Sequence, residues 1–419
     1  MPMESSALQE HSWESIRLYT RTAQFEQPFI ESNHHDYVMS EEEQSLHTCR
    51  CRINVYEESL VNGRNWEYYK KIVNPYELVY TQKKYPNFPE SICYLKPLSR
   101  SYFKMIEMAD LIRFFTMFPG EMIRSAHVCE GPGGFIEALF DEANKYERKI
   151  HMSIAMTLKS KKTNVPGWKR ASYFLQKNKN IRIIFGEDDT GDIMKPENQQ
   201  YFIDYATNPE YGGKVHIFTA DGGFDFSGDY TKQEQMVFPL LMASVKIGLE
   251  TLKVGGVFIL KLFDFYDPAT VDLLLFLSHF FEEWTLYKPG MSRPCNPEHY
   301  FIGKGFVGCT EEALDVLRLW CSIIENHQPL NRLFHTNNKS IVFYEIIEQL
   351  RKKSFHTQTS YLERVFDIIE KNNEEQIAQY LVKHERTSYE WCIRFNVPMY
   401  AHRRLVIEES HNGPQVSYQ

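Results

Sequence analysis

Ala126-His127-Val128-Cys129-Glu130-Gly131-Pro132-Gly133-Gly134-Phe135 is a short apolar run entering a turn with three glycines, followed by helical apolar spacing from Phe135 to Tyr146. A strand is expected over 126–130, then the turn, then a helix over 135–146. Glycine has no Cβ, so a strand–glycine turn–helix unit lets the backbone approach a ligand closely. Alone, the unit is equally a tight turn with no ligand. The GxGxxG spacing of a nicotinamide dinucleotide fold is absent, and so is the Gly and Lys-Ser/Thr spacing of a phosphate-binding loop.

Outward from this turn the chain alternates. Further strands are expected at 153–158, 181–185, 215–220, 257–262, 284–287 and 300–303, with helices at 104–118, 234–252 and 269–281. Alternation of this kind predicts a mostly parallel seven-stranded sheet with helices on both faces, an α/β class of fold. The last two strands are about a dozen residues apart with no helical period between them, which predicts an antiparallel hairpin at one edge. Residues 1–73 read as a partly ordered N-terminal extension, rich in Ser, Glu and His up to about residue 60. Residues 66–97 interleave aromatics, lysines and prolines and read as irregular packed structure. Residues 307–419 lose the strand pattern, and amphipathic helices are expected at 311–324, 340–353, 360–371 and 374–384, a helical C-terminal module. The domain expected between these flanks is 74–306.

The 419 residues are 43% hydrophobic and 14% aromatic, ordinary for a chain that buries a core. A net charge of −8 argues against a generally basic nucleic-acid coat, though not against a local basic track. The eight cysteines show no paired CxxC knuckles, and Cys49-Arg50-Cys51 is too tight for zinc, so a reduced intracellular protein without metal is expected. The first residues lack the apolar core of a signal peptide, and the apolar run 273–277 is too short to cross a bilayer. A soluble protein of nucleus or cytoplasm, with no membrane partner, is the expectation.

Four polar residues each stand in a local pattern of their own: Lys104 in Ser99-Arg100-Ser101-Tyr102-Phe103-Lys104, Asp221 between Val215–Ala220 and Gly222-Gly223, Lys261 after Gly255-Gly256-Val257-Phe258-Ile259-Leu260, and Glu298 in Ser292-Arg293-Pro294-Cys295-Asn296-Pro297-Glu298. Lys-Asp-Lys-Glu in that order around a glycine-rich loop resembles the FtsJ-like RNA 2′-O-methyltransferases, and in particular their cap-methylating branch. Ala220-Asp221-Gly222-Gly223-Phe224 and the lead-ins Asn74-Pro75-Tyr76-Glu77 and Pro97-Leu98-Ser99-Arg100 carry the same resemblance. It covers about residues 74–306 and implies a Rossmann-like methyltransferase fold.

The implied cofactor is S-adenosyl-L-methionine, which has no pyrophosphate and suits a loop offering backbone proximity. Cys129, Glu130, Gly131, Pro132, Gly133, Gly134 and Phe135 would line it. Asp192 would accept from the adenine amine, Ile193 would contact the ring, and Asp221 would touch the methionine amine. Asp192 alternatively caps the helix that begins near Pro196. The second strand ends Met156-Thr157-Leu158-Lys159 without the acid that many methyltransferases use to hold the cofactor ribose. Thr157, a backbone group, Glu187 or Asp188 are the candidates to replace it.

The resemblance makes Lys104, Asp221, Lys261 and Glu298 the catalytic residues. A ribose 2′-hydroxyl is a weak acid that must be oriented and must lose its proton near the transition state. Lys261 is the expected base, its pKa lowered by burial or by the second lysine. Asp221 would orient Lys261, and Lys104 and Glu298 would complete the clamp, with no metal. The expected substrate is the first transcribed nucleotide of capped mRNA, and other capping or transcription proteins are possible partners. Two alternatives stay open: 2′-O-methylation of ribosomal or transfer RNA, and a non-catalytic RNA-binding or virion protein on the same fold.

From Arg148 to Gly186 there are ten basic residues and no acid, with Trp168, Tyr173 and Phe174 interleaved. In an acidic chain this stretch reads as a track for RNA phosphates and bases. A solvated helix face is the alternative.

Overall fold

The structure, a computed structural model, describes residues 19–20, 28–31, 39–57, 60–81, 85, 88–160, 165, 167–223, 232–326, 330, 332–334 and 341–401. In chain order the elements are β1 (Tyr19–Thr20), β2 (Pro28–Glu31), α1 (Glu41–Glu57), α2 (Trp66–Val73), α3 (Ser101–Leu111), β3 (Ile123–Val128) and α4 (Gly134–Lys145). Then follow β4 (Ile150–Met156), α5 (Ser172–Lys177), β5 (Ile181–Ile184), α6 (Pro196–Thr207), β6 (Val215–Ala220), α7 (Gln233–Thr251), β7 (Leu252–Phe263), α8 (Pro268–Ser278), β8 (Phe281–Tyr287) and β9 (Glu298–Phe306). The chain ends with α9 (Glu311–Glu325), β10 (Arg332–Phe334), α10 (Ile341–Lys371) and α11 (Glu374–Arg394).

The main sheet runs β1-β8-β9-β7-β6-β3-β4-β5. From β5 to β7 every pairing is parallel, and β9 lies antiparallel between β7 and β8. This is the expected seven-stranded, mostly parallel sheet with a hairpin toward one edge. The two-residue β1 adds a further pairing against β8.

Strands β3 and β6 are buried along their whole length, as parallel strands covered on both faces must be. Alternate residues feed two cores. Ile217, Val257, Ile259, Tyr300 and Ile302 pack on the face covered by α2, α3 and α11. Val215, Phe218, Phe258, Leu260 and Phe301 pack on the face covered by α6, α7, α8 and α9. Lys261 and Tyr300 therefore lie on the α3 side, the two facing each other across the β7–β9 ladder. Each large apolar side chain buried this way is worth roughly 1.5–3 kcal/mol against the exposed chain.

Several expectations change. Within the N-terminal extension, 41–57 is a helix with its acidic first turn at the positive helix end and Leu46, Cys49 and Ile53 buried. Residues 66–73 are a helix capped by Asn65, whose side chain accepts from Tyr68 N. The helix expected to reach Phe118 ends at Leu111, because Arg113 takes φ +53° and a single 3-10 turn follows. The expected pair of helices 340–353 and 360–371 is one helix, α10. Its polar middle is not a break but a buried hydrogen-bonding face: Gln358 binds Ser354, Asp264 and Arg50. Arg50 also ion-pairs with Asp264 at 2.5 Å, so α1 and α10 both grip the chain just past β7. The last helix continues ten residues beyond the expected 384, to Arg394. Among the described residues no helix is long and apolar enough to cross a membrane.

Candidate active site

Lys261 is two residues from the end of β7, Asp221 directly follows β6, Lys104 sits in the first turn of α3, and Glu298 opens β9. The fold brings all four together. Lys104 Nζ lies 2.6 Å from Glu298 Oε1, and Lys261 Nζ lies 3.4 Å from both Glu298 Oε2 and Asp221 Oδ1. Two ammoniums and two carboxylates thus form one charge-balanced chain. Their side chains keep 10–15% exposure, so the chain is mostly buried but not sealed from solvent.

The electrostatics correct one expectation. Burial alone would lower the pKa of Lys261, but the carboxylates of Asp221 and Glu298 together outweigh it and hold the ammonium above the ordinary lysine range. At 3.4 Å and an effective dielectric of about 20, each such pairing is worth on the order of 5 kcal/mol before desolvation. Lys104, the expected neighbouring cation, instead pairs with Glu298. Burial would raise Glu298, and Lys104 and Lys261 outweigh it, keeping its carboxyl well below the usual range.

Tyr300 completes this site, and the sequence reading missed it. Fully buried, its hydroxyl donates to Asp221 Oδ1 at 2.7 Å and accepts from Lys104 Nζ at 3.5 Å. The available signal was period two: Glu298 and Tyr300 are alternate residues of one strand and share a face. Tyr300→Phe is expected to lower kcat about tenfold, the equivalent of one hydrogen bond to a charged group at about 1.5 kcal/mol. A rate equal to that of the native protein would make the hydroxyl a bystander.

A buried framework holds the surrounding loops. Glu77, fixed by Asn74 Nδ2 at 2.7 Å, pairs with Arg100 at 3.3 Å and Arg293 at 3.4 Å. Arg100 donates in turn to Tyr80 O and Met291 O. Lys288 Nζ donates to Asn296 O at 2.6 Å and Glu298 O at 3.0 Å, and burial lowers its pKa to about 8.

The glycine loop meets the same site. Cys129 takes φ +58° and Gly133 φ +107°. A Cβ on Gly223 would lie 3.8 Å from Lys261 Nζ, and one on Gly222 3.2 Å from Cys129 Sγ, so the loops after β3 and β6 run side by side. Burial, with Asp221 nearby, pushes the Cys129 thiol up to about 12. Not every expected lining side chain faces outward. Glu130 turns under α4, where Oε1 accepts from Phe135 N at 2.7 Å, and Phe135 is fully buried with its ring 6.1 Å from Tyr300. Ile193 is likewise buried. Gly131, Pro132, Gly133 and Gly134 leave backbone as the lining of this turn. Phe224 lies outside the described residues.

Asp192 remains half-buried beside the loop. It is not the cap of α6, which is Lys195; its Oδ1 accepts from Met194 N at 2.9 Å within its own turn. The oxygens of Asp188 accept from Thr190, Asn198 and Lys195. Gly191 packs so closely on Thr157 that a Cβ would lie 2.0 Å from its carbonyl oxygen. The chemistry of these residues fits a small cationic nucleoside: a backbone-lined turn, two acids (Asp192 and Asp221) that both lie near Cys129, and no basic residue in 129–135. Among the described residues no group of three His, Cys, Asp or Glu side chains could hold a metal ion.

The cap-specific mRNA (nucleoside-2′-O-)-methyltransferase 1 of Dictyostelium discoideum is 30% identical over 287 residues, 64% of this chain and 37% of that protein. The proteins of the same name from Danio rerio and Homo sapiens are 33% identical over 190 residues and 31% over 250. They are matched over 44% and 58% of this chain, and over 22% and 28% of their own length. The chain therefore spans well under half of the relatives it resembles. The pattern of the FtsJ-like methyltransferase family matches residues 97–306 of the 419, the stretch that holds the glycine loop and all four charged residues. On that match, this chain belongs to the FtsJ-like methyltransferase family.

Proposed function

We propose that this chain uses S-adenosylmethionine to methylate a ribose 2′-hydroxyl of RNA, at the first transcribed nucleotide of capped mRNA. The observation that carries the reading is the Lys104–Glu298–Lys261–Asp221 chain set against the backbone-lined loop 129–135. The cap-specific relatives favour capped mRNA over ribosomal or transfer RNA. Residues 74–306 form the methyltransferase domain in this reading, flanked by the N-terminal extension and the C-terminal helices, and the protein works in nucleus or cytoplasm, where capped transcripts are.

The loop backbone from Cys129 to Phe135, with Asp192, Ile193 and Asp221, would hold the cofactor, which supplies an electrophilic methyl on a sulfonium. Lys104 and Glu298 fix the ribose. Lys261 orients the 2′-oxygen and takes its proton as the oxygen–carbon bond forms. Lys261 must be neutral to do so, and the carboxylates hold it charged, so the hold has to loosen during turnover. Asp221 giving up Lys261 for another cation would loosen it. Methyl transfer from labelled cofactor to matched capped and uncapped RNAs tests the substrate: label in the capped RNA alone is expected. Equal label in both would remove the cap from the reading.

The basic stretch supplies the RNA track. Lys161 and Lys162 lie outside the described residues. Lys169, Arg170, Lys177 and Lys179 are exposed, and Tyr173 is 78% exposed beside them. Phe174 is spent on packing against Phe140, and Arg148 on the carbonyls of Phe118 and Glu121. Trp168 reaches the loop itself, 3.4 Å from where a Gly133 Cβ would sit. Reversing Lys169, Arg170 and Lys177 to Glu is expected to weaken RNA binding at least about tenfold. The slope of log affinity against log salt should also fall by about one for every phosphate no longer neutralised. Unchanged affinity and slope would make this a solvated face.

A further inference from the structure

Glu107 lies one helical turn past Lys104 on α3 and is 1% exposed. Its carboxylate accepts four hydrogen bonds, all from neutral donors. Oε2 receives Tyr287 Oη at 2.8 Å and Gly290 N at 2.7 Å; Oε1 receives Met291 N at 3.0 Å and Trp391 Nε1 at 2.8 Å. Three of these donors belong to the end of β8 and the loop that leads to Glu298. The fourth comes from α11, whose Trp391 ring also stands edge-on to Phe103, the neighbour of Lys104, at 5.8 Å. A single buried side chain thus joins the helix that carries Lys104, the loop that delivers Glu298, and the last helix of the described chain. The 2.6 Å Lys104–Glu298 pair closes the other side of this ring of contacts.

We propose that Glu107 is a positioning residue, and that Trp391 of α11 holds it so that Lys104 and Glu298 meet at the reaction site. A carboxylate buried with four donors has one arrangement that satisfies all of them, and this fixes the loop relative to α3. Helix α11 then has a part in catalysis although it touches no reacting atom. The inference rests on the methyl-transfer reading.

Trp391→Phe deletes only the indole N–H donor and one ring, and Glu107→Gln keeps the shape while replacing acceptor positions with an NH2 group. Ile368→Val, in the α10 part of the same core, controls for general loss of stability. Trp391→Phe is expected to lower kcat about tenfold or more, since small misplacement of catalytic groups costs up to about a hundredfold, with KM for RNA unchanged. Amide exchange at Gly290 and Met291 should accelerate in Trp391→Phe and not in Ile368→Val. Glu107→Gln should show the larger loss, and if it does not fold, Trp391→Phe decides. Unchanged kcat and unchanged exchange in Trp391→Phe would overturn the proposal, as would an equal loss of kcat in Ile368→Val at matched thermal midpoint. If native protein transfers no methyl at all, the methyl-transfer reading falls, and the exchange comparison alone decides whether the joint exists.

Discussion

Lys261→Ala is expected to lose methyl transfer by about a thousandfold, within the range that a positioned acid–base group contributes, while still binding S-adenosylmethionine. Its ammonium bridges Asp221 and Glu298, 3.4 Å from each. Without it Glu298 keeps Lys104 and Asp221 keeps Tyr300, so the local fold has partners left and the loss falls on chemistry. Lys261→Arg should not restore activity. Guanidinium cannot release its proton at usable pH, and its planar fork does not reproduce a point charge between two carboxylates. Single-turnover rates with cofactor affinity measured by calorimetry separate the two effects. Robust transfer by Lys261→Ala would move the base elsewhere.

Gly133→Val is expected to abolish measurable cofactor binding with only a modest loss of stability. Gly133 has φ +107° and ψ 26°, a conformation that costs a β-branched residue roughly 1–3 kcal/mol. Its Cβ would stand at ordinary contact, 3.4 Å, from Leu98 and Trp168, so nothing behind the loop must move. The added methyls would reach beyond that contact distance, so the strain falls on the loop backbone proposed to hold the cofactor. Gly134→Ala is the instructive contrast: its Cβ would fall 2.2 Å from the hydroxyls of both Ser99 and Ser101. That change pushes α4 away from the first turn of α3, where Lys104 sits, and should destabilise the protein as well. Calorimetry with thermal unfolding distinguishes the two variants. Native affinity in Gly133→Val would place the cofactor outside this loop.

The central sheet was legible because parallel strands buried on both faces read as apolar runs, and Val215–Ala220 shows it best, its limits matching the expected strand. Strand β7 was expected to begin at Val257 but begins at Leu252. Gly255 and Gly256 interrupt its apolar pattern, and its register against β6 shifts between Val215 and Ile217. The flanking helices were harder because their mostly apolar buried faces also carry polar and charged residues. Arg50, Asp264 and Gln358 are far apart in the chain and acquire meaning only when α1 and α10 meet past β7. The same holds at the site. Lys104, Asp221, Lys261 and Glu298 could be named from their local patterns, whereas Tyr300, Lys288 and Glu107 act through contacts that cross elements. The direction of the Lys261 pKa was misread for that reason: the spacing in sequence does not reveal that Asp221 and Glu298 both close on its ammonium.

In the proposed reaction the methyl goes to one ribose hydroxyl, through the Lys104–Glu298–Lys261–Asp221 chain. The most direct measurement uses two capped RNAs that differ only at the first transcribed nucleotide, one carrying ribose and the other 2′-deoxyribose, with native protein, Lys261→Ala and labelled cofactor. Label is expected only in the ribose RNA and only with native protein, and nuclease digestion should recover it on the capped dinucleotide. Equal labelling of the deoxy RNA, or undiminished labelling by Lys261→Ala, would rule out 2′-O-methylation through these four residues.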